Sequence, residues 1–313
     1  MDYSTWSVPV AGGHLGGLDN GGDGGDVLFV YTAGLSALTW DPVMSRLTDL
    51  HCVALDLRGH ALSAQAPLLD AGSNWRDVLR VIADRGLRCP VVVGTNTGAM
   101  MALAAAADSP HLIRSVVALE CGLHDSPRAQ VHAELQLAQS DDFLDDVCRR
   151  FGLGEVVGSR QDIEGAATEQ AARSRTDWLL RDVGEGIADE TRYSFVPRPD
   201  GTWLHTPDRE AVRAAYTIDV DAAYFPTADL YDLIEVPLHV VQAEDGLNLL
   251  SPEEATALSR RPGVTVHAIG GSHLAHRSHP DEFAEVVRRA AAEPNGPRPA
   301  TRRRPSDLHT GRR

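Results

Sequence analysis

The chain has 313 residues, 43% of them apolar, enough to bury a sizeable core in one large domain or a domain carrying an insertion. A formal net charge of −15 argues against a phosphate-backbone partner, so no nucleic acid is expected. No apolar run reaches membrane-spanning length, and MDYSTWSVPV lacks the basic-then-apolar pattern of a secretory signal. The expectation is a cytoplasmic protein with no membrane partner.

Cys52, Cys89, Cys121 and Cys148 are scattered without a C-x-x-C pair and read as reduced core thiols. There is no Lys, and all 29 basic residues are Arg, which fits the codon bias of a GC-rich genome.

Trp6–Val10 and His14–Leu18 are short strand candidates, and the glycine-dense stretch from Asn20 to Asp26 is the exit of an early hairpin. That stretch is a poor phosphate cradle, since no helix follows it and no Lys is present. Val27–Tyr31 is continuously apolar, the pattern of a strand buried on both faces. Trp40-Asp41-Pro42 leads into a helix through Leu47, and Cys52–Leu55 is the next strand. A helix over Trp75–Arg85 precedes the strand Val91–Val93.

Gly94-Thr95-Asn96-Thr97-Gly98 then forms a glycine-bounded turn into an Ala/Met/Leu helix. Val116–Leu119 is another buried strand and ends at Glu120. Strands alternating with helices through short connections predict a mostly parallel α/β sheet flanked by helices.

Residues 125–230 break the rhythm with helical patterns at Arg128–Ala138, Asp141–Phe151 and Asp162–Arg181. Tyr193–Val196 and Thr202–His205 flank a D-G turn and predict a small hairpin. This segment is expected to be a mainly helical lid inserted between a first core part, 1–124, and a second, 231–292. In the second part Pro237–Val241 and Val264–Ala268 are strands, and Pro252–Ser259 and Pro280–Ala292 are helices. Residues 293–313 are expected to form a disordered basic tail.

At these residues the chain resembles the α/β-hydrolase superfamily, in its lid-bearing branch of esterases, epoxide hydrolases, haloperoxidase-like enzymes and polyketide-tailoring proteins. Gly94-x-Asn96-x-Gly98 is similar to the family's nucleophile elbow, a strand–turn–helix context. Asp56-x-Arg58-Gly59-x-x-x-Ser63 is similar to its D-x-R-G-x-G-x-S turn, with Ala61 in place of a Gly. Gly271-Ser272-His273, with Pro280 and Phe283 beyond, looks like its histidine segment. The resemblance covers about 290 residues, all but the tail, and implies the α/β-hydrolase fold.

It also implies roles. His273 would be the general acid or base, oriented by Asp245 as first choice or Glu120 as second. An ungapped match puts Gly246 where the family's acid stands. The backbone N–H groups of Thr97 and Ala33 would form the oxyanion hole. Tyr31 stands where the family has His, and with Trp178 and Trp203 it is a candidate for lining the substrate pocket, packing being the plainer role of all three.

Asn96 is the departure that matters. Its amide nitrogen is delocalised into the carbonyl and cannot be activated as a nucleophile, so a covalent ester at position 96 is excluded. What remains to it is hydrogen bonding at the point facing the pocket.

Three readings follow. The first is a cofactor-free enzyme without a covalent nucleophile, acting on a carbonyl-rich small molecule by elimination, cyclisation, C–C cleavage or direct hydrolysis, in a secondary-metabolite (polyketide-type) setting. The second is an ordinary esterase or epoxide hydrolase in which Asn96 has been put in place of the native nucleophile, which the genomic codon for residue 96 decides. The third is a ligand-binding protein that has lost catalysis. No metal or other cofactor is expected: His276 and His279 lie near His273, but that stretch lacks the acidic partners of a metal site. A homo-oligomer is compatible with the sequence.

Overall fold

The computed structural model describes residues 2–181, 183 and 186–294. From 295 onward the expected tail lies outside the described residues.

The strands are β1 (Ser4–Val10), β2 (Gly13–Asp19), β3 (Asp26–Val30), β4 (His51–Leu55), β5 (Val91–Thr95), β6 (Ser115–Leu119), β7 (Val156–Val157), β8 (Phe195–Pro197), β9 (Trp203–His205), β10 (Leu238–Asp245) and β11 (Val264–Ser272). Eight of them form one sheet in the order β1-β2-β4-β3-β5-β6-β10-β11. The pairs β1–β2 and β2–β4 are antiparallel and the rest are parallel, as the alternation of elements predicts. Every residue of β5 and β6 is buried, which is why their sequences read as unbroken apolar runs.

The helices are α1 (Asp41–Met44), α2 (Arg76–Asp84), α3 (Thr97–Asp108), α4 (Arg128–Leu137), α5 (Asp141–Phe151), α6 (Arg160–Ser174), α7 (Ile187–Ser194), α8 (Arg209–Tyr216), α9 (Pro252–Ser259), α10 (Ala275–Ser278) and α11 (Pro280–Ala292). Helix α3 lies on β5 and β6 and is buried almost all round, so its outward positions are Ala instead of charged residues. Helix α11 packs on β6 and α1 and buries Phe283 completely.

The segment between β6 and β10 departs from expectation in detail. The helix expected over 162–181 is α6, which stops at Ser174, and Thr176 to Leu180 form turns. Helix α7 follows and takes in Tyr193 and Ser194, so the hairpin strand starts at Phe195. The hairpin itself is present, Phe195 pairing with His205, and β7 adds a third strand. Helix α4 buries none of its residues.

The D-x-R-G-x-x-x-S turn fastens this segment to the sheet. Asp56 is fully buried and accepts from Tyr31 Oη (3.1 Å), the Ala37 N–H (2.8 Å), the Leu62 N–H (3.2 Å) and Tyr193 Oη of α7 (2.5 Å). Arg58 makes a two-pronged pair with Asp77, and Ser63 Oγ receives the Gly16 N–H at 2.8 Å. Ala61, at the family's Gly position, has a φ of +35°, which explains why glycine suits that site. A second tie is Glu190 of α7, which accepts from Ser36 N–H and Oγ and pairs with buried Arg277 of α10.

Three buried histidines make the fold sensitive to acid. Burial lowers His60 and His205 to about 4 and depresses His276 as well. Burial keeps His60 neutral, and its ring donates to Arg58 O while receiving the Gly34 N–H. These groups are neutral when folded but protonate below 6.5 when unfolded, so stability falls as pH drops from 6.5 towards 4. Asp56 opposes them: burial raises it to about 6, so it favours the fold as pH falls from 6 towards 3.8.

Counting His60 and His205 against Asp56 leaves a net loss of about 2 kcal/mol between pH 7 and pH 5. Urea midpoints at the two pH values measure it; equal midpoints would contradict the assignment.

Candidate active site

Residues Gly94 to Gly98 make the sharp turn from β5 into α3, and the space there sets the sequence. A Cβ on Gly94 would lie 2.5 Å from the Ala99 backbone, and one on Gly98 would lie 2.4 Å from Val30 O. Between them Asn96 has φ +47° and ψ −114°, a strained conformation costing on the order of 1–3 kcal/mol. Asn enters positive φ more readily than most residues, so it suits the turn. Its side chain is half-buried and borders a cavity of about 580 Å³.

Glu120 ends β6 with a φ of +51° and turns its carboxylate inward. Its Oε2 lies 3.1 Å from His273 Nδ1. The backbone N–H groups of Leu247 and Asn248 donate to the same oxygen at 2.8 and 3.3 Å, and that of Ala243 donates to Oε1 at 3.1 Å. Burial alone would raise this acid, but the His273 bond and the backbone donors outweigh it and hold Glu120 below the usual carboxylate range. An ionised carboxylate only accepts, so His273 carries its proton on Nδ1 and keeps the Nε2 lone pair.

This resolves the choice between carboxylates. Asp245, the first choice, is exposed at the bulged end of β10, although its backbone pairs with Ser272. Glu120 is the partner of His273. Gly246 stands where the family acid was expected, and a Cβ there would lie 2.2 Å from Glu120 Oε1. The missing side chain is therefore the space the Glu120 carboxylate fills.

Gly246→Ala is expected to displace that carboxylate from its donors and destabilise the protein by about 1–3 kcal/mol. Thermal melting beside a Gly21→Ala control, where a Cβ meets nothing, measures this.

Two other expectations are corrected. Tyr31 has no exposed surface; its hydroxyl donates to Asp56 and receives the Leu57 N–H, so it holds the Asp56 turn and does not reach the cavity. Trp178 is 54% exposed beneath the Arg150 guanidinium, and Trp203 packs on Val157, Ile163, Ala166 and Phe195; neither borders the cavity.

The expected oxyanion donors are adjacent, with a qualification the sequence did not carry. The Ala33 N–H donates to Thr97 Oγ1 at 3.1 Å, and that hydroxyl donates to Thr32 Oγ1 at 3.3 Å. Asn248, which borders the cavity and ties its Nδ2 to Glu120 O at 3.1 Å, was not anticipated. Its one sequence signal is the position just past Gly246.

With this geometry in hand, the family model of the alpha/beta hydrolase family matches residues 25–286. The chain belongs to the alpha/beta hydrolase family. A relative from Mesorhizobium japonicum, named 2-(acetamidomethylene)succinate hydrolase, is 32% identical over 234 residues, covering 67% of this chain and 83% of the relative.

Among solved structures, the thioesterase domain of the curacin biosynthetic pathway aligns with a TM-score of 0.68 at 18% identity, over 92% of this chain and 99% of that one. An E-2-(acetamidomethylene)succinate hydrolase aligns at 0.66 and 20%, over 92% and 98%. The enol-lactonase of Burkholderia xenovorans aligns at 0.61 and 15%, over 92% and 100%. At these identities the structural likeness is one of fold. Among the described residues no helix is long and apolar enough to cross a membrane.

Proposed function

We propose that the chain is a cofactor-independent hydrolase that delivers water to a carbonyl compound without a covalent intermediate at residue 96. The observation that carries this reading is the bond between Glu120 and His273, with the carboxylate kept ionised by three backbone N–H groups.

His273 Nε2 takes a proton from water as the water oxygen attacks the carbonyl carbon, and ionised Glu120 stabilises the imidazolium that forms. The N–H of Thr97 and, once the Thr97 hydroxyl rotates away, that of Ala33 receive the developing oxyanion. The Asn96 amide hydrogen-bonds the substrate and does not attack it. His273 then returns its proton to the leaving group. A relative named as a hydrolase of an acetamido compound supports hydrolysis over elimination or cyclisation, which the same residues could also serve.

A second reading, ligand binding without turnover, is favoured by one contact: the Ala33 N–H is already satisfied by Thr97 Oγ1. Turnover of a panel of esters, lactones and enamides in ¹⁸O-water separates the two. Hydrolysis by direct water attack gives label in the released acid, a linear pre-steady-state trace and no adduct on the intact protein. Saturable binding with no product across the panel would leave the second reading standing.

A further inference from the structure

The cavity at the elbow has a lopsided inventory of side chains. Its apolar wall is built from Met100 of α3, Leu123, and Val131 and Leu135 of α4. Its ionisable groups are Glu120, Cys121, His124, Glu134 and Tyr216, and among the described residues no arginine borders it. The chain has no Lys to supply instead.

Glu120 is committed to His273, and His124 Nδ1 lies 3.1 Å from Glu254 Oε1. Arg128, one turn from Val131 on the same helix, is turned away: its guanidinium donates to Val220 O and Ala222 O and lies over the Phe225 ring. A substrate carboxylate entering this space would lose water and meet the carboxylates of Glu120 and Glu134, with only neutral donors such as Ser126, Gln130 and Asn248 and, among the described residues, no guanidinium to receive it.

Resting on the hydrolase reading above, we propose that the acyl part of the substrate is uncharged and apolar, a hydrocarbon chain bearing the reactive carbonyl, and that acyl groups with a free carboxylate are rejected. The chain lies against Met100, Leu123, Val131 and Leu135, and its carbonyl lies at Asn96. This separates the protein from its Mesorhizobium relative, whose name specifies a succinate.

Binding, not turnover, tests the proposal, with two anilides of equal length: hexananilide, ending in a methyl, and adipic acid monoanilide, ending in a carboxylate. Calorimetry on the full chain is expected to show hexananilide bound at least about tenfold more tightly. Val131→Arg places a guanidinium on the apolar wall and is expected to remove or reverse that preference. Equal affinities, a carboxylate preference, failure of hexananilide to bind up to its solubility, or a preference unchanged in Val131→Arg would each overturn it. If the preference holds while no ester or amide is turned over, the hydrolase reading fails and the cavity assignment survives.

Discussion

Replacing His273 by Ala lowers the turnover number by a factor of about 10²–10⁴, the contribution typical of a positioned general base. The loss falls on kcat, because the cavity walls that bind substrate are built by other residues: hexananilide affinity stays within a few-fold of the parent. A variant that retained full turnover would remove His273 from the chemistry and with it the proposed mechanism.

Glu120→Gln separates orientation from packing. The carboxamide keeps the volume, but its NH2 group faces backbone donors that have only a carboxylate to meet. Either the amide turns and leaves a donor clash, or His273 loses the acceptor that fixes its proton on Nδ1. Turnover falls by a factor similar to that for His273→Ala, and the double variant is no worse than the single one, as expected of groups acting as a unit. The pH dependence has a definite sign. With Glu120 held below the usual carboxylate range, its stabilising charge is present above the ordinary carboxylate value and is lost only as pH falls through the depressed one. The acid limb of kcat/KM between pH 5 and pH 7 is therefore not a titration of Glu120.

What the sequence carried and what it hid divide along physical lines. The elbow was legible because Gly94 and Gly98 are forced by backbone contacts under 3 Å, which no other residue survives. The central strands were legible because burial on both faces leaves only apolar letters.

The partner of His273 was not legible, since what selects Glu120 over Asp245 is a set of backbone N–H groups from Ala243, Leu247 and Asn248, and backbone donors have no letter. Tyr31 was misread for a related reason. In a strand buried on both faces no alternation shows which way a side chain points, and its hydroxyl satisfies Asp56 instead of facing the cavity. Trp178 was misassigned because α6 has only a faint apolar face, so its end at Ser174 and the start of α7 at Ile187 went unmarked. Trp203 sits in the expected hairpin, which packs on Val157, Ile163 and Ala166 away from the cavity.

Asn96→Ser converts the site from direct water attack to covalent catalysis. The conformation at residue 96 is the one the turn imposes whatever the side chain, since Gly94 and Gly98 hold the backbone. Ser in that conformation adds strain of about 1 kcal/mol over Asn, too little to unfold the domain. The direct-attack reading places beside it the His273–Glu120 pair and the N–H of Thr97 at the start of α3. Those are the partners a hydroxyl needs to act as a nucleophile, and nothing else has to be built.

The expected result is a pre-steady-state burst with a slowly deacylated ester, an acyl adduct on the intact protein that maps to residue 96, and kcat/KM raised by about 10²-fold or more. Adding His273→Ala to this variant removes the adduct. A folded Asn96→Ser variant that hydrolyses ester at the parental rate, with no burst and no adduct, would show that residue 96 and His273 do not converge on one carbonyl carbon. The proposed direct attack of water would then fail with it, because both chemistries require His273 and the elbow to face the same atom.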